Sequence, residues 1–333
     1  MIAAPQIQVA TLADLDALAR LRAEIGWHRS DPLLRGVLSW DGGRIFVVRA
    51  GSLAAAHGGA AQEPAATTSA IAAGPLGVIG NVSVRPEFQR RGLGRLLTTH
   101  ALAWQRAQGV RSVWLDATPA GRPLYRQLGF ADIATSWYVH TPLRNLHMER
   151  LAALAGPYAI DSATPEALDD IAELDREAFG GDRLGLLRAL ASQSACAVYV
   201  AHASDDARQR PLGYALTRRS EEPGKGIRLG PLVAPDNTVA AALTLAVTTA
   251  ELRRFPDEVA GGASYLTVGG GAAPAARNFF DTIGAATVDD DLVMRLSMAD
   301  SAEASDRHND HTAPMGREKG KPSVYCWISP MLF

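Results

Sequence analysis

The fold is decided by the stretch Val82-Ser83-Val84-Arg85-Pro86-Glu87-Phe88-Gln89-Arg90-Arg91-Gly92-Leu93-Gly94-Arg95-Leu96-Leu97. Its apolar start predicts the end of a β-strand, Pro86 predicts a turn, and the residues from Gly92 onward predict a helix. Glycines let the backbone approach a ligand closely, and the N–H groups at a helix start attract phosphate. Arg90, Arg91 and Arg95 add positive charge. The stretch predicts a pyrophosphate loop, and the alternative is a basic surface turn before an amphipathic helix.

The neighbouring segments place this loop in an α/β unit. Leu76–Val84 and Ser112–Ala117 have the composition of buried strands, and the helix between them runs to about Gln108. A short helix, Arg122–Leu128, stops at Gly129. Strand, proline turn, loop and helix thus follow one another in the order that a phosphate-binding loop requires.

Two blocks of this sequence resemble the GNAT acyltransferase superfamily. V-S-V-R-P-E-F-Q-R-R-G-L-G resembles its signature loop, Q/R-x-x-G-x-G/A after a strand, and L-D-A-T-P-A-G-R-P-L-Y-R-Q-L-G-F (Leu115–Phe130) is similar to its second block. The residues of this second block, together with a second and weaker copy of the whole unit downstream, resemble a bacterial tandem-GNAT group. In that group the C-terminal copy is degenerate. The resemblance implies an α/β (α+β) fold of two tandem GNAT-like domains. Each would be a mixed, mostly antiparallel sheet with a central parallel splayed strand pair flanked by helices.

The resemblance also implies a site for acetyl-CoA as co-substrate, without a metal. The pantetheine arm would pair with Val82, Ser83 and Val84 as an extra strand, and a backbone N–H there would polarise the thioester carbonyl. Thr118 would contact the cofactor, and Tyr125 matches the general acid that protonates the departing thiolate. A half-buried helix aromatic is the alternative for Tyr125. The pyrophosphate would lie on Gln89, Arg90, Arg91, Gly92, Leu93, Gly94 and Arg95.

The sequence departs from the superfamily pattern at the general base. Many members carry a glutamate on the central strand, but Leu76–Val84 has no carboxylate, and Asn81 can only position a water or the acceptor. Asp116 is the best local candidate for the base, and a turn or capping aspartate is the alternative. Trp27 and His28 follow the first helix and are candidates for the acceptor pocket, with a surface loop as the alternative.

The second half repeats the order of elements. We expect domains at residues 1–148 and 157–333, with residues 299–321 as a polar mobile segment. The counterpart of the loop, in Gly230–Leu245, has no glycine pair, and Asp236 would repel a pyrophosphate. Phe279-Phe280 replaces the tyrosine of the second block. The C-terminal copy is therefore expected to have lost CoA binding.

Composition narrows the classes of function. The chain has 33 basic and 35 acidic residues and a net charge of −2, so no nucleic-acid or membrane partner is expected. No apolar run approaches the roughly 18 residues of a membrane span. The start of the chain lacks a signal-peptide pattern, and two cysteines are too few for a disulfide framework. A cytoplasmic enzyme is expected.

These features predict an N-acetyltransferase that moves acetyl from acetyl-CoA to a primary amine of a small molecule by direct attack. One alternative is a CoA-binding sensor or interaction module without turnover. Another is transfer of a longer acyl chain, or transfer to a protein lysine. The acceptor and the oligomeric state stay open, because a fold does not fix its acceptor.

Overall fold

A computed structural model describes residues 5–27, 31–53, 62–203, 210–220, 226–270, 274–285, 287–288, 292–298 and 323–326. The chain divides into two compact units. The first contains the residues up to Asp132 and most of the strand Leu292–Ser297, and the second runs from Ile133 to Val293 and also contains Ser323–Cys326. Within the described part of the chain, no helix combines the length and the apolar character that a membrane span requires.

The first unit is built on one mixed sheet with helices. Its elements are β1 (Ile7–Val9), α1 (Leu15–Glu24), α2 (Asp31–Leu38), β2 (Gly43–Arg49), β3 (Pro64–Ala73), β4 (Leu76–Val84), α3 (Leu93–Ala107), β5 (Ser112–Ala117), α4 (Arg122–Gln127) and β6 (Ala131–Thr135), with β14 (Leu292–Ser297) from the far end of the chain.

The sheet of the first unit has the order β1-β2-β3-β4-β5-β14-β6. Strands β1 to β4 pair antiparallel in succession, whereas β4 and β5 are parallel. Helix α3 buries Leu93, Leu97 and Ala101 at a spacing of four residues and packs on β3 and β4. Because α3 connects two parallel neighbours, its N-terminus lies at the carboxyl end of β4.

The second unit repeats this plan with its own elements. They are β7 (Trp137–Pro142), α5 (Met148–Leu154), β8 (Tyr158–Ala163), α6 (Asp169–Phe179), α7 (Leu184–Ala191), β9 (Cys196–Ala203), β10 (Gly213–Arg219), β11 (Ile227–Ala234), α8 (Asn237–Arg254), α9 (Pro256–Ala260), β12 (Tyr265–Gly270), α10 (Pro274–Thr282), β13 (Thr287–Val288) and β15 (Ser323–Cys326).

The sheet of the second unit has the order β8-β9-β10-β11-β15-β12-β7-β13. Strands β8 to β11 are antiparallel, and β11 and β12 are parallel. Position by position, β8 to β11 correspond to β1 to β4, β12 to β5, β7 to β14, and β13 to β6. Among the described strands, only β15, between β11 and β12, has no counterpart in the first unit. Both units thus have the mixed sheet, with a central parallel pair, that was expected from the sequence.

The two units differ from the expected domains of residues 1–148 and 157–333 in two strands. Strand β7 comes from the first half of the sequence but pairs with β12 of the second sheet. Strand β14 comes from the second half but lies beside β5. Trp137, at the start of β7, is 4% exposed and packs on Phe280, with 5.6 Å between ring centroids. Trp137 therefore belongs to the core of the second unit.

Candidate functional site

The central strands of the first unit separate at their carboxyl ends. β4 and β5 pair at only three positions, from Leu76 opposite Ser112 to Val78 opposite Trp114. β4 then continues to Val84 and β5 to Ala117 without further pairing to each other. The last six residues of β4 therefore border a gap in the sheet. This gap is the splay that was expected from the sequence.

A β-bulge lies on β4 where the gap opens. The pairing of β3 with β4 shifts at Asn81-Val82, so two residues of β4 stand opposite one of β3. Asn81 has a φ of 51°, in the left-handed region that asparagine tolerates well. Its Nδ2 donates to Ser69 Oγ at 3.0 Å, and its backbone oxygen accepts from Thr67 Oγ1 at 3.2 Å and from Ser83 Oγ at 3.3 Å. Three polar side chains therefore hold this backbone conformation.

A buried arginine holds the other end of the Asn81 amide. Arg22 of α1 is 2% exposed, and its Nη1 donates to Asn81 Oδ1. The guanidinium carbon of Arg22 lies 5.4 Å from the centroid of the Trp27 ring. Sequence reasoning missed Arg22, although a charge beside Leu18 and Leu21 on the apolar face of α1 was the available signal. The amide of Asn81 is engaged at both ends, which fits a role in holding the bulge.

The loop after β4 presents backbone N–H groups at the start of α3. Arg90 has a φ of 58° and Gly92 a φ of 78°. Gly92 is the N-cap of α3, and the first N–H groups of a helix have no carbonyl partner within the helix. No described atom lies within 4 Å of a Cβ added at Gly92. The glycine therefore provides a left-handed turn and an open approach to these N–H groups.

Polar contacts fix the rest of this loop. Gln89 Nε2 donates to the Val84 carbonyl at 3.1 Å, and Arg91 Nη2 donates to the Glu87 carbonyl at 2.9 Å. Arg95 donates to a glutamine side chain of α4. Gln89, Arg91 and Arg95 are exposed, so the charges border solvent at the helix start. A cluster of exposed cations beside free N–H groups suits a polyanion.

Gly94 lies against both the strand and the helix that border the gap. A Cβ added there would lie 3.5 Å from Leu124 Cδ2 and 3.9 Å from Val82 Cγ1. Leu93 is 2% exposed and anchors the first turn, while Thr98 Oγ1 donates to the Gly94 carbonyl at 2.8 Å. The structure thus brings the loop, β4 and α4 together at Gly94.

Tyr125 and Thr118 meet at the start of α4. Tyr125 is 4% exposed, and its ring is T-shaped to Phe130 with centroids 5.9 Å apart. Thr118 Oγ1 accepts from the Gly121 N–H at 3.2 Å. A Cβ at Gly121 would lie 2.9 Å from Tyr125 Cε2 and 3.4 Å from Thr118 Oγ1. Gly121 therefore allows the tyrosine ring to pack beside the threonine.

Of the remaining predicted residues, the structure describes Asp116 and Trp27. Asp116 is on β5 and is 3% exposed. Trp27 is half-buried just after α1. His28 lies outside the described residues, and so does the segment 299–321. Glu87 is exposed before the loop.

The second unit differs at the same bulge. The pairing of β10 with β11 shifts between Ala215 and Thr217, which places Gly230-Pro231 where the first unit has Asn81-Val82. Proline has no backbone N–H, so the bulge of the second unit lacks the donor that Val82 provides. Sequence reasoning missed this difference, although alignment of Val84-Arg85-Pro86 with Val233-Ala234-Pro235 was the available signal.

The helix start of the second unit is capped by a carboxylate. Asp236 Oδ1 accepts from the N–H groups of Thr238 and Val239 at 2.8 and 3.0 Å and from Thr238 Oγ1 at 2.7 Å. Burial raises the pKa of Asp236, but these three hydrogen bonds outweigh burial and hold the pKa below its usual value. An internal anion thus occupies the N–H groups that are open in α3. α10 carries the buried Phe279 and Phe280 where α4 carries Tyr125.

The gap between β11 and β12 is filled by β15. β11 and β12 pair in parallel from Ile227 to Leu229. Beyond that point, Leu232, Val233 and Ala234 pair antiparallel with β15, and Gly270 of β12 pairs with Cys326 of the same strand. The second sheet is therefore continuous where the first one is open.

Two family models match this chain. The Acetyltransferase (GNAT) family matches residues 12–130, and the Acetyltransferase (GNAT) domain matches residues 171–255. Together they span more than half of the chain. The first match contains the bulge, the loop and Tyr125, and the second contains Gly230-Pro231 and Asp236.

Several known proteins are similar to this chain in sequence or in fold. An uncharacterized N-acetyltransferase of Bacillus subtilis, YitH, is 31% identical over 170 residues, which is 51% of this chain and 55% of that protein. The chain thus aligns with about half the length of this relative. A Pyrococcus horikoshii protein proposed to be an acetyltransferase has a TM-score of 0.63 at 19% identity and covers 88% of this chain and 89% of its own. A tandem GNAT protein of the clavulanic acid pathway has a TM-score of 0.58 at 17% identity, over 90% of this chain and 100% of its own. Because GNAT family models match both halves and together cover more than half of its residues, the chain belongs to the GNAT acetyltransferase family.

Proposed function

We propose that the first unit transfers an acetyl group from acetyl-CoA to a primary amine of a small molecule. The observation that carries the proposal is the open gap beside β4, which has a bulge at its start and a glycine loop at its end. A gap of this kind has a free backbone edge for an extended ligand. The loop adds N–H groups and cations for a polyanion. Pantetheine and pyrophosphate are the extended and the anionic parts of acetyl-CoA.

Different residues would bind the pantetheine and the pyrophosphate of acetyl-CoA. Val82, Ser83 and Val84 border the gap and would pair with the pantetheine amides. The N–H groups at the start of α3 would bind the pyrophosphate, with Arg90 and Arg91 at the exposed side of the loop. Gly94 keeps the approach between β4 and α4 free of a side chain. The side chain of Thr118 lies beside Tyr125, near the expected position of the thioester.

Acetyl-CoA supplies the acetyl group as an activated thioester. The amine attacks the carbonyl carbon, the C–N bond forms, and the C–S bond breaks. The Val82 N–H at the bulge would stabilise the negative charge that develops on the carbonyl oxygen. Tyr125 donates its proton to the leaving thiolate, and the amine releases one proton, which restores the balance. Asp116 on β5 is the candidate that would accept this proton.

We further propose that the second unit binds no acetyl-CoA. Pro231 leaves its bulge without an N–H donor, and the Asp236 carboxylate holds the N–H groups at the start of α8. A second anion at that helix start would meet a negative charge at hydrogen-bond distance. Phe279 and Phe280 also offer no proton to a leaving group.

The test is an assay of free-thiol release with acetyl-CoA and a panel of primary amines, including amino acids, polyamines, aminoglycosides and lysine peptides. We expect release that depends on one class of small amine. Tyr125→Phe should lower kcat about 100-fold, because a positioned general acid contributes roughly that much. It should leave the affinity for acetyl-CoA unchanged, because the ring still packs on Phe130. Tyr138→Phe, which removes a hydroxyl from the second unit, is the matched control and should leave kcat unchanged.

Each other outcome points to a named alternative. Undiminished turnover in Tyr125→Phe would contradict the acid role. Release only with lysine peptides would favour a protein acceptor. Binding of acetyl-CoA without thiol release for any amine would favour a CoA-binding sensor. The absence of a carboxylate on β4 is the feature that favours this sensor.

A further inference from the structure

The second unit has a strand-binding groove between β11 and β12. The two strands pair with each other only at Ile227–Leu229 and Leu266–Val268. In the first unit the corresponding strands also separate after three paired positions, and no strand among the described residues pairs between them. The groove is thus the same feature of the fold, but in the second unit it has an occupant.

The occupant is the chain's own segment Ser323–Cys326. It pairs antiparallel with Leu232, Val233 and Ala234 on one side and reaches Gly270 on the other. Counted from the bulge, Leu232 and Val233 correspond to Ser83 and Val84 of the first unit. β15 therefore bonds to the backbone positions that border the open gap in the first unit.

The sequence of the segment suits this position. Ser-Val-Tyr-Cys-Trp-Ile follows Pro322 and contains β-branched and aromatic residues, which favour strands. The chain has no charged residue after Lys321. An uncharged extended segment can enter a sheet without burying a charge. The polar segment before it, residues 299–321, has the opposite composition.

We propose that the groove of the second unit is a peptide-binding site whose ligand is the segment Ser323–Cys326 of the same chain. The segment occupies the place that an extended cofactor arm would take and completes the second sheet. The ligand class is an extended, uncharged peptide bound through its backbone. This inference concerns the second unit and does not rest on the acetyl transfer proposed for the first.

The first test is hydrogen–deuterium exchange on the intact chain. Val324 pairs with Val233 of β11, and a proline at a position inside a sheet is disfavoured because it has no N–H to donate. We expect the amides of Ser323–Cys326 and Leu232–Ala234 to exchange about tenfold or more slowly than unprotected amides. Val324→Pro should release both segments. Val324→Ala, which keeps the N–H, is the matched control and should keep both protected.

Two results would overturn the proposal. One is exchange of Ser323–Cys326 at the unprotected rate in the wild-type chain. The other is a Val324→Pro variant in which Leu232–Ala234 stays protected. The amides of α8 report whether the second unit is still folded in this variant.

If Val324→Pro unfolds the second unit, a second measurement still tests the proposal. A chain that ends at Lys321 should bind a labelled synthetic peptide of Pro322–Phe333 at one per chain, measured by fluorescence anisotropy. The same peptide with Val324→Pro should bind about tenfold or more weakly, because proline is disfavoured at a position that pairs inside a sheet. Equal binding of the two peptides, or no binding by a folded truncated chain, would contradict the proposal. Because neither experiment uses acetyl-CoA, their failure is distinguishable from failure of the proposed activity.

Discussion

The two units share one order of strands but differ at the gap between their central parallel strands. In the first unit β4 ends at an open gap and a glycine loop. In the second unit β15 fills the gap, and Asp236 caps the helix that follows. The bulges also differ, because Val82 has an N–H and Pro231 has none. Within the described residues, one copy of the fold thus has a gap beside its parallel strand pair, and the other copy has a continuous sheet.

This difference shows where the chemistry of such a fold resides. The sheets and helices correspond almost element by element, so they do not separate a binding unit from a closed one. The separation comes from a few local features, namely the bulge residue, the residue at the helix start and the strand beside it. A fold supplies the position of a site, and these local residues decide whether a ligand enters.

The largest effect, on the affinity for acetyl-CoA, is expected from Gly92→Trp. This substitution would cover the start of α3, as Asp236 covers the start of α8 in the second unit. A tryptophan at the helix start would cover the N–H groups that we assign to pyrophosphate. Loss of about two charge-assisted hydrogen bonds costs about 3 kcal/mol, so the affinity for acetyl-CoA should fall about 100-fold or more. Calorimetric titration measures this change.

Gly74→Trp is the matched control for Gly92→Trp. Gly74 has a φ of 65°, and no described atom lies within 4 Å of its added Cβ, so the two substitutions meet a similar backbone strain. Gly74 precedes β4, whereas Gly92 follows it. Both variants should lose about 1 kcal/mol of stability, but only Gly92→Trp should lose binding. Equal loss of binding in both would mean that strain, rather than the loop, controls affinity.

A smaller effect is expected from Asp236→Ala, which removes the anion from the helix start of the second unit. The carboxylate accepts three hydrogen bonds there, so the variant should lose about 1 kcal/mol of stability at pH 7. Asp236→Asn keeps an acceptor at the cap and should lose less. Denaturant unfolding followed by circular dichroism measures both differences.

The pH dependence of this difference has a defined sign. The folded-state pKa of Asp236 is lowered, so its contribution is present above the unfolded-state pKa of about 3.9 and is lost as pH falls through the folded-state pKa. The difference in the free energy of unfolding between wild type and Asp236→Ala should therefore become smaller below about pH 4. A difference in unfolding free energy that grows as the pH falls would show that the carboxylate does not cap the helix as a charged group.

Much of the fold was predictable from local patterns. The strands Leu76–Val84 and Ser112–Ala117 have the predicted bounds. Strand β3 was not predicted, because it is rich in alanine and threonine and nearly all of its residues are buried. A strand that is buried on both faces shows no alternation of apolar and polar residues.

The pairing of strands over long distances was not predictable. Strand β14 has a local strand pattern, but nothing local indicates that it lies beside β5 of the other half. The same is true of β7 beside β12. For the candidate site, too, local features were predictable and long-range contacts were not. The loop and Tyr125 stand in a local motif, whereas the contact of Arg22 with Asn81 joins residues that are distant in sequence.

The most direct test of the difference between the units is the number of acetyl-CoA sites per chain. Isothermal titration calorimetry of acetyl-CoA into the intact protein should give a stoichiometry of one, and Gly92→Trp should abolish the heat of binding. A stoichiometry of two would contradict the closed state of the second unit. Binding that survives Gly92→Trp would contradict the assignment of the cleft to the first.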